Sequence, residues 1–216
     1  MTTSKLRIYN GALAIIGERA LGSLTENRES RRALDLIWDD GGVDDCLEAG
    51  QWYFAMRAGR FTYDPSITPD WGYKRVFEKP EDHIRTCGVC QDEMFNTPLL
   101  EYRDEAGFWY ANLDTIYVRL VSNGAQYGGD LSLWPGTFTE YVKGEFAFKV
   151  ALPITQDKKK VALAEAYRSQ ALRNAKSKGA MADPTTFPAE GAWTASRRGS
   201  RTGGWPDRGN RGSLIG

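Results

Sequence analysis

The chain has 216 residues, of which 41% are hydrophobic and 26% charged, with 28 basic residues balancing 28 acidic ones. That composition is ordinary for a soluble globular chain of one large domain or two small ones. No apolar run approaches the roughly 18 residues that span a bilayer, and the N-terminal Met-Thr-Thr-Ser-Lys-Leu-Arg lacks the apolar stretch of a secretory signal, so neither membrane insertion nor secretion is expected.

Residues 3–17 read as a first helix. Leu6, Tyr9, Leu13 and Ile16 recur at helical spacing, Thr3 or Ser4 caps the start, and Gly17 stops it. A second helix is expected from Thr25–Arg28 onward, striped by Ala33, Leu34, Ile37 and Trp38. Gly41-Gly42 predicts a break, a kink or close packing, because each interior glycine costs a helix about 1 kcal/mol. Helical spacing resumes at Val43, Cys46 and Leu47 and ends at Gly50.

The grammar then changes. Trp52, Phe54 and Met56 alternate as a strand would. Tyr73–Phe77, Ile84–Cys90, Leu99–Arg103, Gly107–Asn112 and Thr115–Val121 follow as strand candidates, with Asp104-Glu105 as a separator. In the last of them Ile116, Val118 and Leu120 share one face, and Tyr117, Arg119 and Val121 the other. Together they predict one small antiparallel sheet.

Helical grammar returns after Gly129. Pro135 suits a first helical turn, Phe138, Tyr141, Val142, Phe146 and Val150 stripe the helix, and Pro153 is expected to end it. A further helix over Asp157–Lys178 is rich in Ala, Lys, Glu and Arg, all good helix formers. Its thin stripe is Val161, Ala164, Tyr167, Ala171 and Leu172, and Gly179 is expected to close it. Lys158-Lys159-Lys160 at its start reads as a solvated face or as a contact for phosphates or an acidic neighbour.

Beyond residue 180 the composition turns to Pro, Gly, Arg, Ser and Thr. Residues 191–216 hold Arg197, Arg198, Arg201, Arg208 and Arg211 against Asp207 alone, a net of +4 that leaves residues 1–190 at −4. Trp193 and Trp205 stand isolated in it. Such a segment has little apolar area with which to offset its ordering entropy, so it reads as an extended arm that orders on a partner.

The organisation is therefore α+β. A helical bundle of two N-terminal and two C-terminal helices (1–52 and 130–180) carries an inserted β-rich region (53–129) and an extended C-terminal arm (181–216).

Motifs that carry chemistry are sparse. Cys87-Gly-Val-Cys90 with His83 offers three zinc ligands where a structural site uses four. Positions 87 and 90 of a regular strand point to opposite faces, which fits two buried thiols better than a metal site. His83 is the single histidine, so any Ser-His-Asp or Cys-His catalysis runs through it. Acidic pairs at Asp39-Asp40, Asp44-Asp45, Glu81-Asp82, Asp92-Glu93 and Asp104-Glu105 supply carboxylates for a glycosidase, or the exposed acids of turns and helix ends. Neither G-x-x-x-x-G-K-S/T nor G-x-G-x-x-G occurs, which argues against nucleotide binding. No cofactor and no catalytic role are expected.

Five segments in order carry a family resemblance: YNGALAIIGE (9–18) with SLTE (23–26); RAL (32–34) and WD (38–39) leading to Cys46-Leu47 and WYFAMR (52–57); YKRVFEKPED (73–82); LDTIYVRLVS (113–122); and GDLSLWP (129–135) before the helix from Tyr141. Over about residues 4–180 the chain resembles the tail tubular protein A family, the head–tail adaptors of short-tailed bacteriophages. Where that family often reads Leu-Pro before the acidic pair, this chain has Lys79-Pro80.

The resemblance implies a virion structural protein assembled in the host cytoplasm, forming a dodecameric ring between portal and tail nozzle. The partners it implies are further copies of the chain, the portal protein, the nozzle protein and tail fibres, with double-stranded DNA passing through the lumen without sequence recognition. Ring contacts are heterologous, so each subunit needs two different faces. Lys158, Lys159, Tyr167 and Arg168 are candidates for one of them. Trp193, Arg197, Arg198, Arg201, Trp205, Arg208 and Arg211 are candidates for docking on the portal, since Arg and Trp lead among interface hot spots. Two alternatives stand beside this reading: a tail protein that cleaves a surface glycan, and a soluble binding module with a basic nucleic-acid-binding arm.

Overall fold

Ser4 opens the first helix, α1 (Lys5–Ile15), by accepting a hydrogen bond from the Arg7 amide at 3.3 Å, which pairs one of the amides a helix start leaves free. At the other end Gly17 takes φ +71°, and the amides of Gly17 and Glu18 bond to Ala14 O and Leu13 O. That two-bond stop favours glycine because its backbone is left-handed. The computed structural model describes residues 3–182, and the expected arm lies outside them.

The second helix starts at Glu29, later than expected, and the glycine pair splits it into α2 (Glu29–Asp39) and α3 (Gly42–Glu48). Gly41 has φ +81°, and a Cβ at Gly42 would lie 2.6 Å from the Ile37 carbonyl oxygen. One glycine supplies the turn and the other the room, so three helices stand where two were expected.

The Trp52-Phe54-Met56 alternation is not a strand. Tyr53–Ala55 is a single 3₁₀ turn, and the strand β1 begins only at Met56 and runs to Thr62. The reason lies in Trp52. Its indole N–H donates to the carbonyls of Cys46 and Leu47, both at 3.1 Å, and its ring packs 4.8 Å from Phe138. Pinning that side chain to the end of α3 curls the backbone beyond it.

The remaining strands are β2 (Arg75–Glu78), β3 (His83–Cys90), β4 (Arg103–Glu105), β5 (Phe108–Ala111) and β6 (Thr115–Ser122). Among the described residues they form two three-stranded antiparallel sheets where one was expected, ordered β1-β6-β3 and β2-β5-β4. Leu99–Arg103 is not a strand, and Asp104-Glu105, expected to separate strands, lies in β4. The turn is the reason: Ala106 (φ +49°) and Gly107 (φ +83°) make a two-residue hairpin that needs positive φ at both places. That turn sets Glu105 opposite Phe108.

Ile116, Val118 and Leu120 of the first sheet pack with Phe77, Trp109 and Ala111 of the second in one core. Val121, on the opposite face of β6, joins the helical core. The alternation read from the sequence thus serves two cores at once.

The two C-terminal helices are longer than expected. In α4 (Gly136–Thr155) Pro153 sits inside the last turn, and the helix stops at Gln156 with φ +51°. In α5 (Lys158–Ala182) Gly179 lies within the helix. A proline removes one amide and leaves the earlier turns intact, and a glycine only weakens a helix that has a packing face. Pro135 takes the capping position just before α4 rather than the first turn.

The middle of α4 (Tyr141–Ala147) is buried on every side, which marks a central helix. It packs against α1, α2, α3 and α5. Lys143 and Glu145 are buried with it and are paired to Glu140 at 2.7 Å and to Arg168 at 3.5 Å. Ala164, Ala171 and Ala175 of α5 are buried, and at Gly144 a Cβ would lie 3.0 Å from the Arg168 Cα. Small residues on both helices allow this close approach.

Candidate functional site

An aromatic cleft of about 350 Å³ lies beside the end of α5. The 3₁₀ turn supplies Tyr53 and Phe54, the start of α4 supplies Gly136, Thr137 and Phe138, and the last turns of α5 supply Ala175, Lys178 and Ala182. The walls are stiff, because Phe138 meets Trp52 and Phe54 at 4.8 Å and Trp134 at 5.0 Å. Two smaller depressions adjoin it, sharing Gly136, Thr137 and Glu140. The three make a trench around the first turns of α4, apolar at one end and polar at the other.

Glu140 organises the polar end. It accepts from Lys143 at 2.7 Å and from the Tyr167 hydroxyl at 2.6 Å. Burial works against its ionisation, but those two bonds outweigh it and hold the carboxyl below its usual range. Burial, then the bond to Glu140, pushes the Tyr167 hydroxyl up to about 12. Of the four residues proposed for subunit contact, Tyr167 and Arg168 thus bond to α4 of the same chain, Arg168 with its guanidinium also 4.3 Å from the Phe148 ring. Lys158 and Lys159 are exposed at the start of α5. Trp193, Arg197, Arg198, Arg201, Trp205, Arg208 and Arg211 lie outside the described residues.

A second polar cluster joins the two sheets, and Thr86 is its hub. The Thr86 hydroxyl donates to Asp104 at 2.6 Å, accepts from the Trp109 indole at 2.9 Å, and lies 3.0 Å from His83 Nε2. Lys79 pairs with Asp104 from the other side. Three partners on one hydroxyl make a joint, and a nucleophile would need a free lone pair. His83, singled out in the sequence as the obligatory histidine, is therefore a structural neighbour of Trp109, with ring centroids 5.5 Å apart.

Cys87 and Cys90 do not face opposite ways. A bulge between Thr86 and Gly88 shifts the phase, so Cys90 pairs across from Tyr117, while Cys87 reaches the Met56 sulfur at 3.8 Å beside Val121. Both lie on the Tyr117–Arg119–Val121 side of the sheet. Among the described residues no three His, Cys, Asp or Glu side chains gather as a metal-binding group.

Four of the five acidic pairs have at least one carboxylate committed to a partner. Asp44 accepts from Asn123 and Asp45 from Lys149, Asp92 accepts two backbone amides of the turn at Asn96-Thr97, and Asp82 binds Arg57 and Ser122. For Asp82, burial works against the charge, and the hydrogen bonds from Ser122 and Arg57 together overcome it, so the carboxyl sits below its usual range. Asp104 is held low in the same way by Lys79 and Thr86. A lowered folded pKa gives stability that is fully present above the unfolded value, about 4, and is lost as pH falls below it. The contribution of these carboxylates to the melting temperature is therefore expected to be constant near neutral pH and to fall below about pH 4. Asp82→Asn should lower the plateau and shallow the acid slope, as thermal melts between acid and neutral pH will read.

Sequence reasoning missed Thr86, Trp109, Lys79 and Glu140. Trp109 carried a usable signal, an aromatic in an alternating strand, but its partners come from three other segments. No protein-family model and no curated protein sequence matches the chain.

Proposed function

We propose that the chain is a structural head–tail adaptor: a virion protein that forms a ring, dodecameric by resemblance, between portal and nozzle, extends the DNA channel, and catalyses nothing. In this reading the helices form a bundle and the two sheets are its insertion. The ordered segments quoted above are the ground for the family.

The structural observation that supports the reading best is the placement of exposed apolar side chains. Leu36 (71% exposed) and Leu163 (58%) stand on helices, whereas Met94 (72%) and Leu100 (88%) stand on the loop before β4. A closing ring brings two different faces of each subunit together, and exposed apolar side chains stand on both the helical and the β-rich part. The basic arm follows α5 and docks on an acidic portal surface, its Trp rings filling pockets and its Arg forks pairing with carboxylates.

Truncation after Ala182 tests this directly. The truncated chain is expected to keep its helical circular dichroism and its melting temperature, yet to lose attachment to purified portal rings. Trp193→Ala and Trp205→Ala should each weaken attachment by about 30-fold, near 2 kcal/mol, and single Arg→Ala changes by less. Ring closure on the portal, seen by negative-stain imaging of the full chain, is the companion result. A truncated chain that attaches as tightly as the full one at physiological salt would overturn the docking role, and a full chain that never closes a ring would overturn the adaptor.

A further inference from the structure

The junction between the two sheets holds the chain's single histidine at its centre. The Thr86 proton is committed to Asp104, the stronger acceptor because it is charged. His83 must therefore donate from Nε2, which leaves Nδ1 as the atom that takes up a proton. Protonation there keeps the bond to Thr86 and adds a charge.

The surroundings receive that charge badly. Lys79 is already a cation beside the ring, in the segment between β2 and β3. Asp104 on β4 is shared among Lys79, Thr86 and Trp109. Asp82, next in sequence, is occupied by Arg57 of β1 and Ser122 of β6. Neutral His83 leaves one cation against one anion in the junction, and protonated His83 sets two cations against the same carboxylate. Burial first, and then Lys79, hold the imidazole below its ordinary value of 6.5, against opposing pulls from Asp104 and Asp82.

We propose that His83 is a proton-operated latch between the two sheets: protonation at Nδ1 draws Lys79 and His83 into competition for Asp104 and loosens the hold of Thr86 and Asp104 on Trp109, while the helical core stays intact. The sign follows from linkage. A histidine with a lowered folded pKa contributes stability that is present above 6.5 and is lost as pH falls through the folded value. The sheet junction is thus tight at neutral pH and weakens as pH falls from 6.5 through the folded value.

One histidine gives one imidazole signal, so the full-length protein can be titrated by NMR without ambiguity. The Trp109 indole N–H is assigned by its absence in Trp109→Phe. The imidazole midpoint is expected below 6.5, with the Trp109 indole signal shifting at the same midpoint. Amide exchange in β4 and β5, corrected for intrinsic pH dependence, should rise as pH falls through the imidazole midpoint, and that of α4 should not. His83→Gln presents an amide to Thr86 without titrating and should hold the Trp109 signal still across the range. Lys79→Gln removes the competing cation and should raise the imidazole midpoint. An imidazole midpoint at or above 6.5, a Trp109 signal that ignores it, or a transition that persists in His83→Gln would each overturn the latch.

Discussion

Replacing Trp109 by alanine is expected to destabilise the protein by about 3–5 kcal/mol, the range for losing a large buried aromatic. Trp109 is fully buried and faces Phe77 across the second sheet. Its ring meets Phe61 of the first sheet at 5.0 Å. The substitution therefore removes the main apolar bridge between the sheets. It also removes the indole N–H from Thr86 and Asp104, and a buried polar group left without its partner costs about 1–3 kcal/mol. For a chain of this size the melting temperature should fall by roughly 6–20 °C. Trp109→Phe keeps most of the volume and loses only the donor, so it should show the smaller, polar part of the effect. Thermal melts of the two variants side by side read the partition. A Trp109→Ala protein that melts within about 2 °C of the parent would mean that the two sheets are not held by this side chain.

Phe138→Ala is expected to cost a similar 3–5 kcal/mol, but in the helical core. Phe138 is 1% exposed and touches four aromatic rings, those of Trp52, Phe54, Trp134 and Tyr141. Edge-to-face pairs of this kind add about 0.5–1.5 kcal/mol each beyond the area they bury. The cavity would open into the aromatic cleft, so water can enter and the usual recovery by collapse is blocked by stiff neighbours. The variant should lose near-ultraviolet dichroism from Trp52 and Trp134 along with its stability. Amide exchange should separate the two variants. Phe138→Ala should open α4 and α5 first, and Trp109→Ala β4 and β5.

Much of the candidate site was out of reach of the sequence for one reason. The trench around α4 is built from a 3₁₀ turn, a helix start and a helix end that are more than 120 residues apart from first to last. The sheet junction draws Lys79 from the loop after β2, His83 and Thr86 from β3, Asp104 from β4 and Trp109 from β5. Local periodicity reports which way a side chain leans within its own element and carries no information on what it meets. Tyr167 illustrates this: it reads as part of a thin stripe on α5, and it is half-exposed, with its hydroxyl bound to Glu140.

What the sequence by itself determined is what short-range chemistry decides. A cap at Thr3 or Ser4, the stop at Gly17, an interruption at Gly41-Gly42 and the two faces of Thr115–Val121 were all legible, because each depends on backbone strain or on the period of neighbouring residues. Tertiary structure alone decided the rest. It turned the Trp52–Phe54 alternation into a 3₁₀ turn by anchoring one indole to two carbonyls of α3. It carried α4 through Pro153 and α5 through Gly179, because helices with a packing face outweigh a single unfavourable residue. It divided the strands between two sheets, since which strands pair depends on the cores they enclose, and those cores exist only once distant segments have met.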